Sequence, residues 1–276
     1  MRGRGWLSAV VAVGLLSIPI FARADETRLT EPVASDAAVL EVSTRVRYSW
    51  TELAFRGARP KAWDETMSPE FRASLRVRSG LFEGKLEIGA VSDRFVAFEH
   101  SSTDALRGEL QLGINTGAWS YLVEWKPRHV FEPGYEDLLT ELNVFGLRVK
   151  NRFSADLFER LPPSLVQASF AVGHVASTQS LFTREFVEAE LEYVQRFCDG
   201  FAMTLAPKLE LNDYLDFAGS DRKDAVLSLR VIPSYNFGGG VTLSVEGQAT
   251  VGFSTLDSKT GETWSVTPIL RLQRTL

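Results

Sequence analysis

The chain has 276 residues, 45% of them apolar and 24% charged, with a formal net charge of −5. A single cysteine excludes an internal disulfide and a cysteine-based zinc site, and the acidic balance gives no basic patch for nucleic acid. The apolar fraction is too high for a disordered chain.

Arg2 and Arg4 precede an apolar run from Trp6 to Phe21, and Ala22-Arg23-Ala24 follows. A charged start, a short apolar core and a small-x-small end form the pattern of a secretory signal peptide over residues 1–24. The run is too short for a transmembrane helix, and no later run reaches the roughly 18 apolar residues that a helical span needs.

From residue 39 onward the dominant period is two. Leu40, Val42, Thr44, Val46, Tyr48 and Trp50 alternate with Glu41, Ser43, Arg45, Arg47 and Ser49. Successive strand side chains point to opposite faces, so this segment has one greasy side and one wet side. The pattern recurs at 71–77, with Arg72, Arg76 and Arg78 opposite the apolar set, and at 82–90, opposite Glu83, Lys85 and Glu87. It continues at 106–114 and 119–125. Around 142–151 the phase breaks, because Leu142 and Val144 are out of step with Phe145, Leu147 and Val149, and a bulge is expected there. Six more segments follow at 166–172, 187–197, 201–211, 225–237, 241–253 and 264–272. The reading is all-β, with about twelve strands of roughly 9–13 residues, the length that crosses an outer membrane at a tilt.

The connections have a rhythm. Ser79-Gly80, Asn115-Thr116-Gly117, Cys198-Asp199-Gly200 and Gly238-Gly239-Gly240 are tight glycine-containing turns. Alternate connections, near 57–69, 92–105, 127–140, 213–223 and 254–262, are long and polar. The stretch 152–164 breaks the rule; Ser154 is expected to cap a short helix there, ended by Pro162-Pro163. Pro207, Pro233 and Pro268 fall inside strands, where each removes a ladder hydrogen bond and calls for a bulge or local irregularity.

The aromatics of the apolar face gather at strand ends. Trp50, Phe71, Trp125, Phe253 and Trp264 are expected near the rim of long loops, and Phe82, Trp119, Phe201, Tyr235 and Phe237 near the rim of tight turns. Amphipathic rings prefer the headgroup region, so two girdles around an aliphatic band fit a bilayer.

Signal peptide, amphipathic strands, alternating turn lengths and girdles together resemble a Gram-negative outer-membrane β-barrel of the porin-like type. The likeness covers nearly all of residues 39–276 and is one of architecture. It implies an antiparallel transmembrane β-barrel over 39–276, a periplasmic segment over 25–38, and short turns on the periplasmic side with longer loops outside. It also implies residence in the outer membrane, contact with lipid and lipopolysaccharide, and insertion by the barrel-assembly machinery. Oligomeric state is not specified by it.

Architecture leaves several functions open. The expected one is a porin-like channel for passive diffusion of small polar or charged solutes, which needs no cofactor and no metal. An alternative is a lipid- or lipopolysaccharide-modifying hydrolase using His100 and Ser102, whose His-x-Ser spacing resembles that of outer-membrane lipid hydrolases, although the pair lies in a polar, loop-like stretch. A third is a structural barrel with a blocked lumen. The alternation puts Arg45, Arg47, Arg72, Arg76, Arg78 and Arg271 on one lumen wall and Glu188, Glu190 and Glu192 on the opposite one. These opposed ladders are expected to set up a transverse field that orients dipolar solutes, unless local pairing, such as Arg45 with Glu83 or Glu192 with Lys208, neutralises them.

Overall fold

The period-two segments become twelve strands that close into one sheet, so that no strand is left as an unpaired edge. The computed structural model describes residues 36–53, 62–96, 102–155, 162, 164–215, 221–256 and 260–276. The strands are β1 (Asp36–Leu53), β2 (Ala62–Ser79), β3 (Phe82–Phe95), β4 (Thr103–Asn115), β5 (Trp119–Phe131) and β6 (Leu138–Ala155). They continue as β7 (Ser164–Ser177), β8 (Arg184–Cys198), β9 (Phe201–Tyr214), β10 (Lys223–Gly238), β11 (Val241–Ser254) and β12 (Gly261–Thr275). Each pairs antiparallel with its chain neighbours, and β1 pairs with β12 from Val39↔Thr275 to Thr51↔Thr263, which closes the ring. Residues 1–35, with the signal-peptide reading and most of the segment 25–38, lie outside the described residues; β1 itself begins at Asp36.

The strands are longer than the alternation indicates, from 13 residues in β4 to 18 in β1, β2 and β6. Near the loop rim polar residues such as His129 and Glu141 interrupt the apolar series, so period two fades while the hydrogen-bonded ladder persists. The connection expected over 127–140 is consequently only a hairpin of residues 132–137, closed by Glu132 N–H donating to the Asp137 carbonyl at 2.8 Å. That hairpin folds outward. Gly134 N–H donates to the Asp104 carboxylate, which also takes Ser92 and, at 2.8 Å, Arg94, and Asp104 is buried at 1% exposure. The Phe131 and Tyr135 rings meet at a tilt of 55° with centroids 5.6 Å apart. Burial, then the Asp104 charge, hold the Tyr135 phenol above its ordinary pKa.

The prolines leave no bulge. β9 and β10 stay in register through Pro207↔Leu229 and Pro233↔Met203, and β11 pairs through Val245↔Pro268. On its other side each proline drops two successive pairs without changing register: Glu190↔Lys208 resumes at Tyr193↔Leu205, and Val231↔Gly247 resumes at Ser234↔Ser244. The same gap opens beside Pro268, between Arg45↔Ile269 and Tyr48↔Val266, and beside Pro69 and Pro127. A strand residue aims its N–H at only one neighbour, so a missing donor opens one ladder and spares the other.

Two further expectations are corrected. Ser154 caps no helix; it lies in β6, paired with Leu165. Residues 156–161 and 163, where that helix was expected, lie outside the described residues. The phase break at Leu142 and Val144 is no bulge either, because β5 and β6 pair regularly from Trp119↔Asn151 to Val130↔Thr140. Both side chains face the lumen and pack on Ala171, Val175 and Phe186. The Phe186 ring covers Gly173 of β7, where a Cβ would lie 2.7 Å from it, so the two glycine-adjacent strands carry an apolar plug on the inner wall.

The aromatics of the apolar face take the following places along the strands. Phe82, Trp119 and Phe201 open β3, β5 and β9, and Tyr235 and Phe237 lie at the end of β10 with rings 4.8 Å apart. At the loop rim Trp50 and Trp264 pair directly across β1 and β12, and Phe253 lies at the end of β11. Phe71 and Trp125 face outward but lie near the middle of β2 and β5, because these strands run well past the expected ends toward the loop rim.

Candidate functional site: the charged lumen

Alternation along closed strands forces every second charged residue inward, where an isolated charge would be costly and a hydrated or paired one is not. Ion pairs run around the wall strand by strand. Glu70 of β2 receives three guanidiniums, from Arg45 at 3.4 Å, from Arg72, and from Arg107 of β4. Arg72 reaches Glu87 at 3.5 Å, and Lys85 bridges Glu87 at 2.8 Å and Glu109. Lys126 joins Glu109 at 3.2 Å to Glu124 at 2.7 Å. Arg148, buried at 9% exposure, then spans β7, donating to Glu124 and Glu188 at 2.7 Å each and to Ser169 at 3.4 Å. Lys208 carries the belt from Glu188 at 2.7 Å to Glu210 at 3.0 Å, while Arg230 joins Glu190 to Glu246, the latter at 3.7 Å.

The residues expected on the two walls are therefore distributed as follows. Arg45 and Arg72 belong to the belt. Arg76 and Arg271 share Glu41, at 3.9 and 3.1 Å. Arg47 lines a cavity above the belt, and Arg78 lies toward the turn rim. On the other wall, Glu188 is held by Arg148 and Lys208 and Glu190 by Arg230; Glu192 makes no ion pair among the described residues. Local pairing thus neutralises two of the three carboxylates that a transverse field would need. The partners are Arg148, Lys208 and Arg230, reached from neighbouring inner faces. Their grouping depends on which strands are adjacent, and the inward assignment of each residue was the available signal.

Two cavities lie along the wall formed by β11, β12, β1, β2 and β3. The larger, about 280 Å³, is on the loop side and is lined mostly by hydroxyl and amide side chains such as Ser49, Thr66 and Gln248, with Arg47 and Asp93. The smaller, about 130 Å³, lies toward the turn rim. Five cations line it, Arg45, Arg72, Arg76, Lys85 and Arg271, against the carboxylates of Glu41 and Glu87. Ser43 and Ser74 complete its wall. The opposite side of the lumen, β6 to β8, is filled by Arg148 with its two carboxylates and by the Phe186 cluster.

Of the suggested hydrolase pair, His100 lies outside the described residues; Ser102 is buried, its hydroxyl accepting Phe95 N–H at 3.2 Å. Elsewhere, His129 Nδ1 is 3.4 Å from a Glu141 carboxylate oxygen on the outer face. Cys198 is an exposed free thiol at the end of β8.

No family model matches the sequence. No curated protein matches it either. Among solved structures, an outer membrane channel from Pseudomonas putida F1 superposes with a TM-score of 0.59 at 11% identity, covering 87% of this chain and 96% of that one. The translocator domain of the autotransporter NalP from Neisseria meningitidis covers 96% of this chain and 94% of its own, with a TM-score of 0.46 and 11% identity. The KdgM porin in complex with disordered oligogalacturonate gives 0.44 at 9% identity, covering 83% and 98%. At such identities the likeness is one of fold, and the fold is that of bacterial outer-membrane β-barrels.

Proposed function

We propose that this barrel resides in the outer membrane and serves there as a channel for passive diffusion of small polar or charged solutes. The observation that carries the reading is the succession of two polar cavities along one strand. Glu41, Ser43 and Arg45 of β1 line the lower cavity, and Arg47 and Ser49, the next inward residues, line the upper. A solute can thus stay in contact with polar side chains along β1 while the far wall remains packed. Hydrated charges and hydroxyls replace a solute's own water shell, which is how a narrow polar pore lowers its barrier. A blocked barrel would have no reason to keep polar cavities end to end on the same face.

The test is conductance of the refolded chain in planar bilayers. Stepwise current in potassium chloride is expected, with only modest ion selectivity from reversal potentials, since most of the belt is internally neutralised. Protein inserted in the bilayer that passes no current would overturn the channel reading.

A further inference from the structure

The lower cavity carries an imbalance that the belt as a whole does not. Its two carboxylates are each already shared: Glu41 between Arg76 and Arg271, Glu87 between Arg72 and Lys85. Glu70 and Glu109 reach Arg45, Arg72 and Lys85 from outside the cavity, yet both are drawn on by further cations, Arg107 and Lys126. Cations remain in excess around a space of about 130 Å³. Beside this space the backbone makes room for two of the arginines. Arg72, Gly89 and Arg107 lie in register across β2, β3 and β4, and a Cβ on Gly89 would stand 3.3 Å from Arg72 Cγ and 3.4 Å from Arg107 Nε. The missing side chain lets both arginines lie along the wall instead of across the lumen.

Resting on the channel reading, we propose that this cavity is a binding site for the oxyanion group, carboxylate or phosphate, of a small hydroxylated solute in transit. Guanidinium forks match the paired oxygens of such groups, and the hydroxyls of Ser43 and Ser74 can donate to a third position. The upper cavity, rich in serine and threonine, would receive the solute's hydroxylated body. Arg76 and Arg271, with side chains 59% and 44% exposed, are the members free to turn toward the anion, and Glu41 is the internal competitor that holds them in its absence.

Titration calorimetry on the detergent-solubilised protein tests this without relying on conduction. Gluconate and glycerol phosphate are the oxyanion probes, and sorbitol is the neutral one; whichever oxyanion binds tighter identifies the preferred group. Replacing both cations (Arg76→Gln with Arg271→Gln) is expected to weaken oxyanion binding at least about tenfold, the scale of a lost charge-assisted contact. Glu41→Gln is expected to strengthen it, whereas Arg152→Gln, which removes one positive charge near the turn rim but outside the cavity, leaves it unaltered. Equal binding of sorbitol, no binding of either oxyanion, or a double variant that binds like the parent would overturn the site. Oxyanion binding by a protein that passes no current would overturn the channel and leave the site standing.

Discussion

Arg148 is the residue on which the belt turns. Like Arg107 and Arg230 it reaches across a whole strand, linking Glu124 of β5 to Glu188 of β8 over β7, but its side chain is only 10% exposed against their 25% and 29%. Removing it takes their shared buried cation from Glu124 and Glu188 and leaves each with a single lysine, Lys126 and Lys208, a costlier change than loss of an exposed pair. Arg148→Met is therefore expected to destabilise the barrel by about 3–5 kcal/mol in urea unfolding from vesicles. Arg271→Gln, at a site 44% exposed, should cost under about 1 kcal/mol. Equal costs would mean that the belt is no more than a set of surface pairs. The sequence announces Arg148 as inward but not as central. Its importance comes from β7 being small at the crossing, with Ser169 and Ala171 leaving room for the guanidinium, and that adjacency is a property of the closed ring.

At the scale of the strand, the apolar alternation identifies twelve elements and the face each one turns to lipid. It misjudges their ends, because the hydrogen-bonded ladders of β2, β5 and β6 continue past the residues that alternate. It also misjudges Leu142 and Val144, since an apolar residue on the wet face looks like a slipped phase until its partners Val175 and Phe186 from other strands are known. The face assignment can be checked on one cross-strand pair of elements. Ile88 of β3 is 62% exposed on the outer wall, while Gln111 of β4 points inward and donates to Glu109 and Glu124 at 2.8 and 3.0 Å. An arginine at Ile88 would have to enter hydrocarbon and should cost roughly 2–4 kcal/mol. One at Gln111 would meet the same two carboxylates and should cost much less. Refolding free energies measured in thin-lipid vesicles compare the two, and a reversed order would mean that the faces are exchanged.

For the molecule as a whole, the decisive feature is asymmetry: one side of the lumen is packed, the other is not. The Phe186 cluster and the Arg148 bridge fill the β6–β8 side, where Ala171 is 1% exposed and Val175 2%. On the β11–β3 side the two cavities follow β1. Current should then run eccentrically, against one wall, and a charged reagent in the lumen should find some inward positions and miss others at similar depth. Cysteine placed at Ser49, on the wall of the upper cavity, is expected to react with a negatively charged methanethiosulfonate and to reduce single-channel current. Cysteine at Ala171 should stay unmodified, because the space its thiol would need is taken by the Arg148 side chain and the Phe186 cluster. The native Cys198 is exposed at the turn rim and must first be replaced by serine, so that only the introduced thiol reports. A central pore would expose both positions alike, and equal modification would require the β6–β8 wall to open in the membrane. The experiment therefore distinguishes a lumen with one polar track from one that is open across its width, which is the property that decides whether the arginines of β1 and β2 meet every passing solute.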